Sequence, residues 1–207
     1  MNLKKTTLWL VLLIVLLLVA DQVLKIWVKT HFTLGESMTI IPDWFQLRFI
    51  ENPGFAFGLR IGSGDGFDWG KLGLGIFRIV LSVGIGWLMV RFARRASTPT
   101  GVLVGLALIL AGAVGNIIDS ACYGWLFSES TPQTVAEFGG SYAAPMMGKV
   151  VDMCYFPLFR WESAPSWLSF LFDREGYFFG PIFNLADAYI SVAVVYLLIF
   201  HHKFLSK

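Results

Sequence analysis

Four long apolar runs dominate this chain and leave it few ways to fold. A bilayer core of ~30 Å is crossed by a helix of ~20 mostly apolar residues. Thr6 to Ala20 has no charge, and Asp21 and Lys25 lie in the last turns of this span; Leu72 to Val90 carries only Arg78. Thr100 to Ile118 carries none, and Pro181 to Phe200 carries only Asp187. Lipid offers backbone groups no partner, so each run is expected to be a transmembrane helix. Composition supports this: 56% of the 207 residues are hydrophobic and 14% charged, against ~25% charged in soluble domains. With 19 Phe and 8 Trp the chain would not stay disordered. A formal charge of +2 is too small for a nucleic-acid binder, and two cysteines do not make a disulfide-stapled scaffold.

The first run resembles a cleaved signal peptide in having Lys4-Lys5 before it and Val19-Ala20 at its end. Leu18 is too large for the cleavage site, however, so an uncleaved helix is expected. Orientation follows from the basic residues in short connections. Lys4, Lys5, Arg91, Arg94, Arg95, Lys203 and Lys207 share one side, whereas all 14 acidic residues fall within 21–68 and 119–187. Both termini and the 91–99 loop should therefore be cytoplasmic, with segments 29–71 and 121–180 outside. The expected fold is an all-α membrane bundle of four transmembrane helices, one integral-membrane domain over 1–207.

Within the first outer segment, residues 38–52 alternate in places (Gln46, Leu47, Arg48, Phe49), which reads as a strand. Asn52-Pro53-Gly54 signals a turn, and Ser63-Gly64-Asp65-Gly66 a loop. The second outer segment is long and aromatic (Trp125, Tyr142, Tyr155, Phe156, Trp161, Trp167). Part of it is expected to form a small outer subdomain, and part to lie at the membrane interface, where aromatics settle.

Ionisable residues in membrane helices are costly and therefore candidates for function. Asp119 ends the third run and Asp187 opens the fourth; the runs are antiparallel, so both lie near the outer face. Asp152 follows Val150-Val151 and could return to that face. Asn116 and Asn184 each precede an Asp by three residues, a same-face spacing on a helix, and Asp21 and Lys25 are spaced for an ion pair. Two carboxylates held close share a proton, so one activates water while the other protonates a leaving amine. Residue patterns alone do not choose between Asp119 and Asp152. A single Asp at a span end more simply caps the helix or touches interfacial water; two Asn-x-x-Asp pairs around a third carboxylate favour chemistry.

The ordered set Asp21-Gln22-x-x-Lys25, Glu51-Asn52-Pro53-Gly54-Phe55-Ala56-Phe57-Gly58, Gly112-x-x-Gly115-Asn116-x-x-Asp119, Gly148-Lys149-Val150-Val151-Asp152 and Phe183-Asn184-Leu185-Ala186-Asp187 resembles the lipoprotein signal peptidases (signal peptidase II). The resemblance implies a four-helix bacterial inner-membrane aspartyl endopeptidase with a small extracytoplasmic β-rich cradle. It implies removal of the signal peptide from a prolipoprotein just before a diacylglyceryl-modified cysteine, with neither cofactor nor metal, by a monomer whose partners are that substrate and membrane lipid. It assigns the catalytic pair to Asp152 and Asp187. Asp119, Asn116, Asn184, Asp21, Lys25, Asn52 and Gly54 become supporting or substrate-binding residues. Two departures stand out. Ser120 replaces the Arg that usually follows the Asp matching Asp119, with Arg78 a candidate substitute if it snorkels to the site, and the stretches on either side of Asp152 are longer than usual.

Two other readings compete. Ser120 with Lys25 would make a Ser-Lys signal peptidase, and the carboxylates could serve as a relay in a proton- or cation-coupled transporter, though midplane sites and repeats are not evident. His31, His201 and His202 have no metal-ligand spacing. A Cys122–Cys154 bridge is compatible with an outward location but required by nothing in the sequence. The four-residue recurrence of Ala107, Ala111 and Gly115 reads as close helix packing.

Overall fold

The first apolar run does not stop at its charges. In a computed structural model describing residues 3–53, 68–161, 165, 167–168, 176–178 and 180–205, helix α1 spans Leu3–His31. It runs through Asp21, Lys25 and Lys29 because all three are buried and partnered inside the protein. Helix α2 (Trp69–Ala93) starts where the Asp68 side chain accepts the Lys71 N–H, as an N-cap should. Helix α3 (Thr100–Ile118) follows Pro99 and continues through a π-helical turn, Asp119–Tyr123, into the single turn α4 (Gly124–Leu126). Helix α5 spans Leu185–Phe200, and a last turn, α6, spans His202–Leu205.

Thr6–His31, Trp69–Ala93 and Thr100–Leu126 are long and apolar enough to cross a membrane. The fourth run differs from expectation. It becomes helical at Leu185, not Pro181, because Asn184 caps it, and its 16 residues span only ~24 Å at 1.5 Å per residue.

Helix α3 is the central post, packed by α1, α2 and α5. Small side chains make that possible. Ala107, Ala111, Gly112 and Gly115 are buried, and a Cβ on Gly112 would lie 2.3 Å from the Ala186 carbonyl oxygen of α5. The recurrence of small residues is thus close packing, as read. Outward faces remain apolar: Leu12 and Leu16 of α1, Phe77 and Val83 of α2, and Val195 and Leu198 of α5 are exposed, a surface that suits lipid. One apolar cluster (Leu10, Met89, Val102, Leu106, Leu197) closes the end where α1 begins and α5 ends.

A second cluster closes the opposite end, where Val28 of α1 and Phe32 just beyond the helix meet Tyr123, Phe127 and a three-stranded antiparallel sheet. The stretch expected as one strand is a hairpin, β1 (Ser37–Ile41) and β2 (Phe45–Asn52). Asp43 turns it with φ 57°, a conformation Asp tolerates. Strand β3 (Val150–Tyr155), buried throughout, pairs with β2 so that Ile50 faces Asp152 and Asn52 faces Val150. Strand β2 ends at Asn52; Gly54 of the expected Asn52-Pro53-Gly54 turn and the Ser63–Gly66 loop lie outside the described residues.

Between α4 and β3 the second outer segment is compact. Phe127 bridges Phe138, and Tyr142 N–H and Ala143 N–H both donate to Gly124 O at 2.8 Å. Trp125, Trp161 and Trp167 are exposed while Tyr155 is buried. Cys122 and Cys154 are free thiols, and burial pushes the Cys154 thiol up to about 11.

Candidate active site

Three backbone features bring the carboxylates together. A π-helical turn starts at Asp119, and its Ser120 carbonyl accepts Gly148 N–H at 2.9 Å, tying the end of α3 to the entry of β3. A Cβ on Gly148 would lie 2.3 Å from the Asp119 carbonyl oxygen, so glycine permits the approach. Phe183 then pairs with Cys154 on the free edge of β3, exchanging hydrogen bonds of 2.7 and 3.1 Å. That bridge sets Asn184, and the helix it starts, beside Asp152.

Asn184 joins two carboxylates. Its Oδ1 accepts the Asp187 backbone N–H at 2.9 Å, capping α5, while its Nδ2 donates to Asp152 Oδ1 at 2.7 Å and to Asn116 Oδ1 at 3.2 Å. Asn116 Nδ2 donates to Asp187 Oδ1 at 2.8 Å. Both amides are nearly saturated, which fixes their orientation. Asp187 sits in the first turn of α5, where unpaired N–H groups and the helix dipole favour an anion. Asp152 is 2% exposed, and Asp187 is half-buried. Burial first, then the Asp187 charge, push Asp152 up to about 7, against hydrogen bonds from Asn184 and Asn52 that pull it down.

Behind this pair lies a buried ion cluster. Lys25 Nζ contacts Asp21 at 3.0 Å and Asp119 at 2.9 Å and donates to Asn116 Oδ1 at 2.9 Å. Asp21 Oδ1 accepts Ala186 N–H at 3.0 Å, a second cap on α5 supplied by α1. Asp119 Oδ2 accepts Val151 N–H at 3.2 Å, and Gln22 Nε2 donates to its Oδ1 at 3.0 Å. Such a cluster holds because each buried charge has several partners.

The partnerships differ from those the spacing suggested. The Asn-x-x-Asp pairs do not orient their own carboxylates on a shared helix face. Asn184 lies outside the helix as its cap and donates to Asp152, while Asn116 reaches across to Asp187. Asp119 is held by Lys25 and Gln22. Lys25 is occupied by carboxylates, and Ser120 Oγ donates to the Asn116 carbonyl at 3.1 Å, so neither is arranged as a nucleophile–base pair. Half-buried Arg78 of α2 interacts electrostatically with Asp187, then Asp152, then Asp119. It therefore brings a cation toward the pair from another helix. Sequence reasoning quoted Gln22 without a role and passed over Lys29, although Lys29 continues the four-residue stripe Asp21, Lys25.

Residues 13–203 match the signal peptidase (SPase) II family. The lipoprotein signal peptidase of Porphyromonas gingivalis is 46% identical over 196 residues, covering 94% of this chain and 83% of that protein. The lipoprotein signal peptidase of Amoebophilus asiaticus is 35% identical over 187 residues, 86% of this chain and 71% of that one. A bacterial membrane enzyme structure determined in meso superposes with a TM-score of 0.61 at 23% identity, over 94% of this chain and 92% of that chain. It is similar in fold.

Proposed function

Because the chain belongs to the signal peptidase II family, we propose that it is an aspartic endopeptidase that removes signal peptides from lipid-modified prolipoproteins, cutting before the diacylglyceryl cysteine. The catalytic pair is Asp152 and Asp187. One observation carries the assignment: a single side chain, Asn184, hydrogen-bonds the Asp152 carboxyl and the Asp187 backbone at once.

Burial raises Asp152 to about 7, which suits it to the role of acid in the pair. Asp187 acts as the base, taking a proton from water as the water oxygen attacks the scissile carbonyl carbon. The carbon–nitrogen bond then breaks, and Asp152 gives its proton to the departing amine. Asn116 and Asn184 hold the carboxylates in register. The cluster of Asp21, Lys25 and Asp119 braces the start of α5. Asn52 lies toward the substrate.

The chain is read as one integral domain of the bacterial inner membrane. The 16-residue α5 is its fourth crossing, both termini are cytoplasmic, and the sheet-bearing end is outside. Acyl chains of the substrate would lie against the apolar outer faces of the helices. The protein is taken to act as a monomer.

The test is incubation of purified protein with a lipidated prolipoprotein and with its unlipidated twin. Cleavage of the lipidated form alone supports the reading. Cleavage of both, or of neither, refutes it.

A further inference from the structure

A second buried ion cluster lies behind β2, and the reaction described above does not use it. Lys29, fully buried, pairs with Glu51 Oε1, donates to Ser130 Oγ at 3.0 Å, and lies 5.5 and 5.0 Å from the ring centres of Phe127 and Tyr142. Ser130 Oγ donates to the same Glu51 oxygen at 3.2 Å. Glu51 Oε2 is buried without a hydrogen bond; its neighbour is the Lys149 ammonium at 3.2 Å. Lys149 is anchored in turn, since its N–H donates to the Tyr142 hydroxyl at 2.8 Å.

Strand geometry connects this cluster to the catalytic pair. Successive residues of a strand face opposite sides. Asn52 lies on the same sheet face as Asp152, diagonal to it across the Ile50–Asp152 pair, and hydrogen-bonds it, so Glu51, one residue earlier, faces away, into the Lys29 side. A buried carboxylate is held wherever its cations are held. Lys29 is fixed on α1, one turn beyond Lys25; Ser130 and Lys149 belong to the stretch between Asp119 and Asp152.

We propose that Glu51, Lys29, Ser130 and Lys149 form a clamp that positions β2, so that Asn52 keeps its hydrogen bond to Asp152. The second outer segment thereby contributes to catalysis without touching substrate. These four are positioning residues, and the proposal rests on the Asp152–Asp187 reading of the site.

The experiment is a double-mutant cycle read by cleavage of a lipidated prolipoprotein. Glu51→Gln, which keeps shape and removes charge, is measured alone and in an Asn52→Ala background. Lys149→Gln, at a partly exposed position, repeats the measurement in a variant whose folding is less at risk. The expected result is a roughly tenfold fall in kcat with KM unchanged in the parent background and little further fall once Asn52 is gone. The alkaline limb of the pH profile should also move upward, as in Asn52→Ala, because a donor to ionised Asp152 is loosened. Equal losses in both backgrounds, or no loss from either variant, overturn the clamp. A parent protein inert toward the lipidated substrate removes the reaction and this proposal with it, whereas an active parent indifferent to Glu51→Gln removes only the clamp.

Discussion

Replacing Asn184 separates the two tasks that its amide performs. Asn184→Ala removes the oxygen that caps α5 and the nitrogen that donates to Asp152 at 2.7 Å. Loss of an N-cap costs ~1 kcal/mol, which lowers the melting temperature by about 2–4 °C in a chain of this size. Serine is as good a cap as asparagine, so Asn184→Ser should melt within about 1 °C of the parent. Serine cannot reproduce the amide donor, however, and its hydroxyl is committed to the helix. Losing a charge-assisted hydrogen bond costs ~1.5–3 kcal/mol, which corresponds to about 10- to 100-fold in rate when the bond is needed at the transition state. Both variants should therefore lose cleavage to that extent, while only alanine loses stability. Melting in detergent and cleavage of a lipidated prolipoprotein are the two measurements. Recovery of activity together with stability in Asn184→Ser would show that the amide's hold on Asp152 does not matter, and the account of the site would fail.

Asp152→Asn and Asp187→Asn should each abolish cleavage in protein that still folds, checked by melting and assay; an active single variant refutes the pair. The kcat/KM profile should fall as pH rises through about 7, where Asp152 gives up its proton. Stability follows the same sign: between the unfolded value of 3.8 and about 7 only the folded state keeps that proton. Rising pH should therefore cost up to ~4 kcal/mol across this window, a slope that Asp152→Asn should flatten. Lys25→Met leaves Asp21 and Asp119 buried without their shared cation and should destabilise by ~3–5 kcal/mol in chemical unfolding. Gly112→Ala puts a methyl 2.3 Å from the Ala186 carbonyl; it should cost ~1–3 kcal/mol in unfolding and displace α5, with cleavage falling in step.

The apolar runs determined the helices by themselves, because a backbone in lipid has no alternative to its own hydrogen bonds. Asn116, Asp119, Asn184 and Asp187 were legible as candidates, since polar groups in such runs stand out, whereas Asp152, on a strand, was preferred to Asp119 only through the family resemblance. The sequence could not say who bonds whom. Asn116 and Asn184 look like local partners of Asp119 and Asp187 at a three-residue spacing, yet each donates to a carboxylate on another element. That exchange depends on the Phe183–Cys154 bridge and the π-helical turn at Asp119, both products of packing that no local pattern announces. The fourth run looked long enough to start at Pro181, but a cap at Asn184 shortened it to 16 residues. Lys29 and Glu51 look like ordinary surface charges until β2 folds onto α1 and buries them. Periodicity and composition report on each segment's own surroundings, whereas a shared proton or a buried ion pair depends on distances between segments, which only the folded chain sets.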